Sequence, residues 1–208
     1  STPIKSSAAS DVYKRQILTY VIYLIARPVT QLYSTPEKSP ITSWAYSILG
    51  QIYVVLPLAL LGVWGYKSDY QLFMNTEYLL MALFVFVWTN DTGAYIVGCT
   101  LGKHRLFERI SPKKSWEGFF GGLAFCIILA SLANYIIPGM LSTAQWIGMG
   151  ILTSIFSTWG DLCESLLKRT AGVKDSGKIL PGHGGILDRF DSELIASPVI
   201  FIYLTFVL

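Results

Sequence analysis

Asp161, Ser165 and Lys168 are separated by four and then three residues. On a helix turning roughly 100° per residue, that spacing lines them up on one stripe. Further along, Asp188 and Asp191 stand three apart, so both carboxylates share a face if a helix opens near Ile186. Between the two groups lies Pro181-Gly182-His183-Gly184-Gly185. Its glycines permit positive φ and let backbone N–H groups approach a ligand closely. Carboxylates at a spacing suited to a divalent cation, flanked by Lys168, Arg169, Lys174 and Arg189 and joined by a glycine nest, point to chemistry on phosphates.

Two further stretches carry chemical content. Asp91, in Trp88-Thr89-Asn90-Asp91-Thr92, sits inside an apolar run, where a carboxylate is costly and faces a cavity, a partner or an ion. The bland alternative is that it caps a helix end at the membrane surface. Lys113 and Lys114, in Ser111-Pro112-Lys113-Lys114-Ser115, precede a helix expected from Trp116. Paired ammonium groups beside free helix N–H groups make a phosphate site; otherwise they belong to a plain basic loop. His183 reads equally as an anion contact or general acid and as a turn residue bonding its own backbone. Asp191 has a second reading as the N-cap of the last helix. Glu164, Lys174, Asp175 and Lys178 rank lower, as solvated charges, and Arg169 lies off the Asp161 stripe, where lipid phosphate is its natural contact. Gly118, Gly121 and Gly122 read as close helix packing.

The elements that must position these groups are membrane helices. Of the 208 residues 52% are hydrophobic and only 14% charged, which does not suit a water-soluble domain. Uncharged runs at Trp44–Tyr66, Phe119–Ile137 and Thr143–Gly160 approach the ~20 residues that cross a hydrocarbon core, and Tyr78–Leu101 joins them but for Asp91. The expected fold is all-α and polytopic, with about five to six spans and charged loops on one side forming the site. The shorter apolar piece Ile17–Ala26 is expected to stop at Arg27-Pro28. Cys99, Cys126 and Cys163 show neither metal spacing nor a disulfide pattern.

Ten of the sixteen basic residues fall in two loops, Lys103–Lys114 and Lys168–Arg189. Two consecutive helical hairpins put both loops on the same side, which the excess of Lys and Arg marks as cytoplasmic. Anionic cytosolic or headgroup partners follow, and nucleic acid is not expected. Residues 1–16 are polar and aperiodic and read as an adaptor-like segment, leaving a membrane-embedded domain over 17–208. That domain is expected to be incomplete at its N-terminus, with the final apolar run from Leu194 cut short at Leu208.

The stretch Ser165-Leu-Leu-Lys168-Arg169, then Lys174-Asp175-Ser-Gly177, then Leu180-Pro181-Gly-His183-Gly184-Gly185-Ile-Leu-Asp188-Arg189-Phe-Asp191 resembles the signature of the phosphatidate cytidylyltransferase (CDP-diacylglycerol synthase) family. Asp91-Thr92-Gly93-Ala94-Tyr95 and Ser111-Pro112-Lys113-Lys114 with Trp116-Glu117-Gly118 extend the likeness over about half the chain. The resemblance implies transfer of a cytidylyl group from CTP to phosphatidic acid, giving CDP-diacylglycerol and pyrophosphate. It further implies Mg²⁺, a second cation such as K⁺, a homodimer, and a multi-pass location in the inner (cytoplasmic) membrane with the site facing the cytoplasm. On this resemblance Asp161, Ser165, Asp188 and Asp191 surround the cations. Lys113, Lys114, Lys168 and Arg189 meet phosphates, with Arg169, Lys174, Gly184, Gly185 and Asp91 as further substrate contacts. Asp161, Lys168, His183, Asp188 and Arg189 would be the catalytic group. Replacing Asp188 with Asn is expected to stop turnover and spare the fold.

Two other readings remain. A related CTP-dependent polyprenyl-lipid enzyme, either a CDP-archaeol synthase or a lipid kinase, would change the acceptor. An ion-coupled transporter would use Asp91 and Asp161 as intramembrane ion sites, but no internal repeat supports it.

Overall fold

A computed structural model describes residues 3–33, 39–65, 76–177 and 184–208. The described chain is mostly helical. Helix α1 covers Pro3–Leu32 and α2 Pro40–Gly50, continuing through a π turn at Gln51–Val55 into α3, Leu56–Gly65. After them come α4 (Thr76–Leu101), strands β1 (Arg105–Phe107) and β2 (Ser111–Ser115), α5 (Trp116–Ile136), α6 (Thr143–Thr170), a 3₁₀ turn at Leu187–Arg189, and α7 (Glu193–Val207). The segments 66–75 and 178–183, the latter including His183, lie outside the described residues.

Among the described residues, three helical runs are long and apolar enough to cross a membrane, Pro40–Gly62, Glu77–Leu101 and Trp116–Ile136. Helix α6 is 28 residues long, but its last turns carry Asp161, Glu164, Lys168 and Arg169, and the apolar α7 has 15 residues. The outer faces support lipid contact: Met81, Trp88, Phe120 and Ile128 are each more than half exposed. An apolar surface of that extent is not left facing water.

The chain forms two compact units. In the first, α1 and α2 pack as a hairpin. The expected stop at Arg27-Pro28 does not occur, because α1 runs through Pro28 to Leu32. A membrane helix tolerates such an internal proline.

In the second unit, helices α3 to α7 close a ring: α3 packs on α4, α4 on α5, α5 on α6, α6 on α7, and α7 back on α3. Leu79, Leu83 and Phe86 of α4, Cys126 and Ala130 of α5, Trp146 and Met149 of α6, and Ile200 and Leu204 of α7 fill it. Trp146 and Phe86 meet with ring centroids 6.3 Å apart. Glycines set the closest approaches. A Cβ on Gly122 would stand 2.5 Å from Asn90 Oδ1, and one on Gly118 would stand 2.8 Å from the carbonyl oxygen of Ala94. Those two glycines therefore serve helix packing, as their spacing implied.

Local signals explain where α5 and α6 begin. Ser115 Oγ caps α5 by accepting from the N–H of Gly118. Ser142 and Gln145 form a reciprocal capping box at the start of α6. Gly139, at φ 80°, supplies the turn between the two helices.

Two further expectations need correction. The basic segment after Leu101 is an antiparallel hairpin, with Arg105 opposite Ser115 and Phe107 opposite Ser111. Near Ile186 a single 3₁₀ turn forms in place of a helix, because Asp188 draws in the surrounding N–H groups.

Candidate active site

Asp91 and Asp161 line one cleft of about 270 Å³ in the second unit, together with Lys113 and Lys114 from β2 and Gly118 from α5. Asp91 stands well inside α4, which removes the reading of it as a helix-end cap. Its helix is held on α6 by a buried network. Ser154 Oγ donates to Asn90 Oδ1 at 2.6 Å, while Asn90 Nδ2 reaches Ser157 Oγ at 3.3 Å and Thr158 Oγ1 at 3.4 Å. Asn90 is 1% exposed, so the network is sealed from solvent and fixes the register of α4 against α6.

The hairpin delivers the lysines. Its base is pinned to α5 by Glu117, whose carboxylate accepts from the N–H groups of Lys103 and His104 and lies 2.6 Å from His104 Nδ1. The N–H of Trp116 also donates to the carbonyl of His104, at 2.9 Å. With both ends of the hairpin held, β2 aims Lys114 into the cleft. Its Nζ meets Asp161 Oδ2 at 2.5 Å, and Ser165 Oγ donates to Asp161 Oδ1 at 3.3 Å.

A second centre forms one turn further along α6. Lys168 Nζ pairs with Glu164 and, at 2.8 Å, with Asp188 Oδ1. Asp188 also accepts from the N–H of Gly185 at 2.7 Å, from the N–H of Ser176 at 2.9 Å and from Ser176 Oγ at 2.9 Å. Gly184 adopts φ 81°, and a Cβ there would stand 2.9 Å from Asp188 Oδ2. The glycine nest anticipated for a ligand thus receives a carboxylate of the chain itself. Partial burial works against ionisation of Asp188, but Lys168 and the N–H groups of Gly185 and Ser176 outweigh it and hold the carboxyl well below the usual range. Burial alone would lower the Lys168 ammonium; its bonds to Asp188 and Glu164 raise it instead.

Asp191 lies where both centres are felt. Burial first, and then the charges of Asp161 and Glu164, push its carboxyl up to about 6, against the N–H bond it receives from Ser192. The backbone here is close to α6: a Cβ on Gly160 would stand 2.7 Å from the carbonyl oxygen of Asp191.

The expected single stripe therefore divides. Asp161 and Ser165 stay together and face Lys114, while Lys168 turns to Glu164 and Asp188. Glu164, ranked as a solvated charge, is 1% exposed; its i, i+4 relation to Lys168 was the signal available. Arg169, Lys174 and Arg189 are exposed. His183 lies outside the described residues. The Asn90, Ser154, Ser157 and Thr158 network was missed, although its three hydroxyls follow helical spacing on α6.

Among the described residues, no three His, Cys, Asp or Glu side chains converge closely enough to hold a metal ion by themselves. Mg²⁺ seldom uses such a cage, binding through one or two carboxylates plus substrate phosphates and water. Asp91 and Asp161, both on the cleft, fit that donor set.

Residues 5–207 match the model of the cytidylyltransferase family. A protein of Staphylococcus aureus (strain COL) named phosphatidate cytidylyltransferase is 41% identical over 160 residues, 76% of this chain and 61% of that protein. Proteins of the same name from Staphylococcus haemolyticus and Staphylococcus epidermidis are 41% and 40% identical over 159 residues, again covering 76% of this chain and 61% of each relative. The chain thus spans about three fifths of the length of the curated relatives it matches. It belongs to the cytidylyltransferase family.

Proposed function

We propose that this chain carries the site of cytidylyl transfer from CTP to phosphatidic acid, releasing pyrophosphate and leaving CDP-diacylglycerol in the membrane. The observation that carries the reading is the cleft where Lys113 and Lys114 meet Asp91 and Asp161, on a helical frame that suits a bilayer. The names of the staphylococcal relatives supply the acceptor and the nucleotide.

A phosphate oxygen of phosphatidate attacks the α-phosphorus of CTP, and the bond to the β-phosphate oxygen breaks. Phosphatidate is already ionised at neutral pH, so neither a protein nucleophile nor a strong base is needed. What this transfer demands is positioning and charge neutralisation. Lys113 and Lys114 neutralise the triphosphate, and Ser115 and Gly118 shape the floor against which it lies. The ammonium of Lys114 exchanges Asp161 for phosphate oxygens as the nucleotide enters. Asp161, steadied by Ser165, is then released to face the reacting phosphates. Lys168, Glu164 and Asp188 hold the following loop, and with it Asp191, in register beside the cleft. When bound by Asp91 and Asp161, Mg²⁺ supplies further charge neutralisation at the phosphates.

A second cation such as K⁺ belongs to the same reading through the family resemblance. The excess of basic residues in the two loops supports a cytoplasm-facing site in the inner membrane. Five to six spans follow if α1, α6 and α7 cross alongside the three long apolar runs. A homodimer is part of the same reading through the family resemblance.

The acceptor panel is the test. The chain in detergent is incubated with CTP labelled at either the α- or the γ-phosphate, and with phosphatidate, archaetidic acid or a polyprenol. α-Label entering lipid with phosphatidate supports the proposal. γ-Label entering lipid makes the chain a lipid kinase, and preference for archaetidic acid makes it a CDP-archaeol synthase.

A further inference from the structure

Arg27 sits in an apolar helical hairpin without an acidic partner. Its Nε donates to Ser47 Oγ at 3.1 Å, Nη1 to Gln31 Oε1 at 3.2 Å and Nη2 to Ser43 Oγ at 2.7 Å. All three acceptors are neutral, and no carboxylate pairs with Arg27 among the described residues. A guanidinium has five N–H donors in a rigid fork. Three are spent on fixing its orientation, so one N–H on each Nη is left with the full positive charge.

That fork lines a cavity of about 120 Å³, whose other walls include Tyr23, Leu24, Trp44 and Ile48. One side is cationic and hydroxyl-bearing, the rest apolar and aromatic. Depth matters as well. Arg27 lies five residues before the end of α1 at Leu32, and Ser43 and Ser47 lie three and seven residues after the start of α2 at Pro40. At 1.5 Å per residue they stand roughly 5–10 Å from the ends of their helices, the depth of headgroups in a bilayer. An Arg near a helix end at that depth presents its charge to the headgroup layer. The anion that a membrane offers there is a lipid phosphate.

We infer that Arg27, oriented by Ser43, Ser47 and Gln31, binds the phosphate of an anionic phospholipid whose acyl chain lies against Leu24 and Ile48, at a site lined by residues of the first unit. A charge-assisted, two-pronged contact from the guanidinium meets the phosphate oxygens, and the apolar walls select a lipid over a free anion. The inference does not rest on the transfer reading, and binding measured without CTP keeps the two apart.

The test is native mass spectrometry of the full chain in detergent, titrated with dioleoylphosphatidylglycerol, dioleoylglycerol or inorganic phosphate. Wild type is expected to retain the phospholipid at this site, with Arg27→Gln binding it about tenfold more weakly and Arg27→Lys falling between. Dioleoylglycerol should bind no better to wild type than to Arg27→Gln. Helical circular dichroism checks the fold. If Arg27→Gln does not fold, Ser43→Ala/Ser47→Ala replaces it, with a severalfold loss expected from a guanidinium no longer held in place. Equal phospholipid retention by wild type and the variants overturns the inference. So does displacement of the phospholipid by an equal concentration of inorganic phosphate, which would mark a site for free anions.

Discussion

Lys114 and Asp161, forty-seven positions apart, meet at 2.5 Å across the cleft, and each is about a third exposed or less. The hairpin and α6 thus join through a pair that solvent reaches. An ion pair of this exposure adds little to stability, roughly 0–1 kcal/mol. Its value lies in placing an ammonium and a carboxylate where a triphosphate would separate them. Lys114→Gln should leave the melting temperature in detergent within a few degrees of wild type and raise the KM for CTP about tenfold or more. An unchanged KM would remove Lys114 from the nucleotide site.

Asp188 was expected from the sequence to be replaceable by Asn at no cost to the fold. The structure alters that expectation, since Asp188 neutralises Lys168 and accepts from Gly185 and Ser176. Removing one partner of such a cluster leaves polar groups unpaired, at a cost of about 2–4 kcal/mol. Asp188→Asn should lower both turnover and the thermal midpoint. Loss of turnover at an unchanged midpoint would return Asp188 to a purely chemical role.

The raised Asp191 carboxyl gives a pH signature. An acid whose value is lifted on folding contributes stability that is fully present below its unfolded value, near 4. That contribution is lost as pH rises through about 6. In the absence of divalent cations, wild type should lose on the order of 2 kcal/mol of stability between pH 4 and 6 from this group. Asp191→Asn should flatten that interval. Thermal melts of both proteins at pH 4, 5, 6 and 7 make the comparison, and parallel curves would contradict it.

Gly122 tests the seam beneath Asp91. A Cβ there meets Asn90 Oδ1 at 2.5 Å and the Asn90 carbonyl at 2.7 Å, the latter being backbone that cannot swing aside. Gly122→Ala should destabilise by about 1–3 kcal/mol and reduce turnover by shifting Asp91. Melting and transfer assays at wild-type level would show that the seam is slack.

How much of this was legible in the residues follows from the range of the forces involved. Local signals read well: the apolar runs, the start of α5 at Trp116, and the glycines of α5 all depend on neighbours within a few positions. The Asp161–Ser165 pair was legible for the same reason. The partners of Asp161 and Lys168 were not, because Lys114 and Asp188 arrive from distant segments and only the fold decides which lysine meets which carboxylate. The hairpin was hidden because Ser111–Ser115 lacks strand-like alternation and the entry to the first strand, at Lys103 and His104, is held by Glu117 of α5. Arg27 looked like a stop because its hydroxyl partners lie on α2.

Chelation separates structural from chemical use of a divalent cation. No three potential ligands converge among the described residues, so EDTA should abolish cytidylyl transfer while leaving helical circular dichroism and the melting curve nearly unchanged. A large drop in melting temperature on chelation would mean that the ion organises the fold.

The most direct measurement follows label from CTP carrying ³²P at the α-phosphate into phosphatidate-derived lipid, in parallel for wild type and Asp161→Asn. Wild type should give lipid label matched by released pyrophosphate, and Asp161→Asn at least a hundredfold less at an equal amount of folded protein. Equal transfer by the two proteins, or no transfer by wild type, would contradict a reaction centred on the Asp161 cleft.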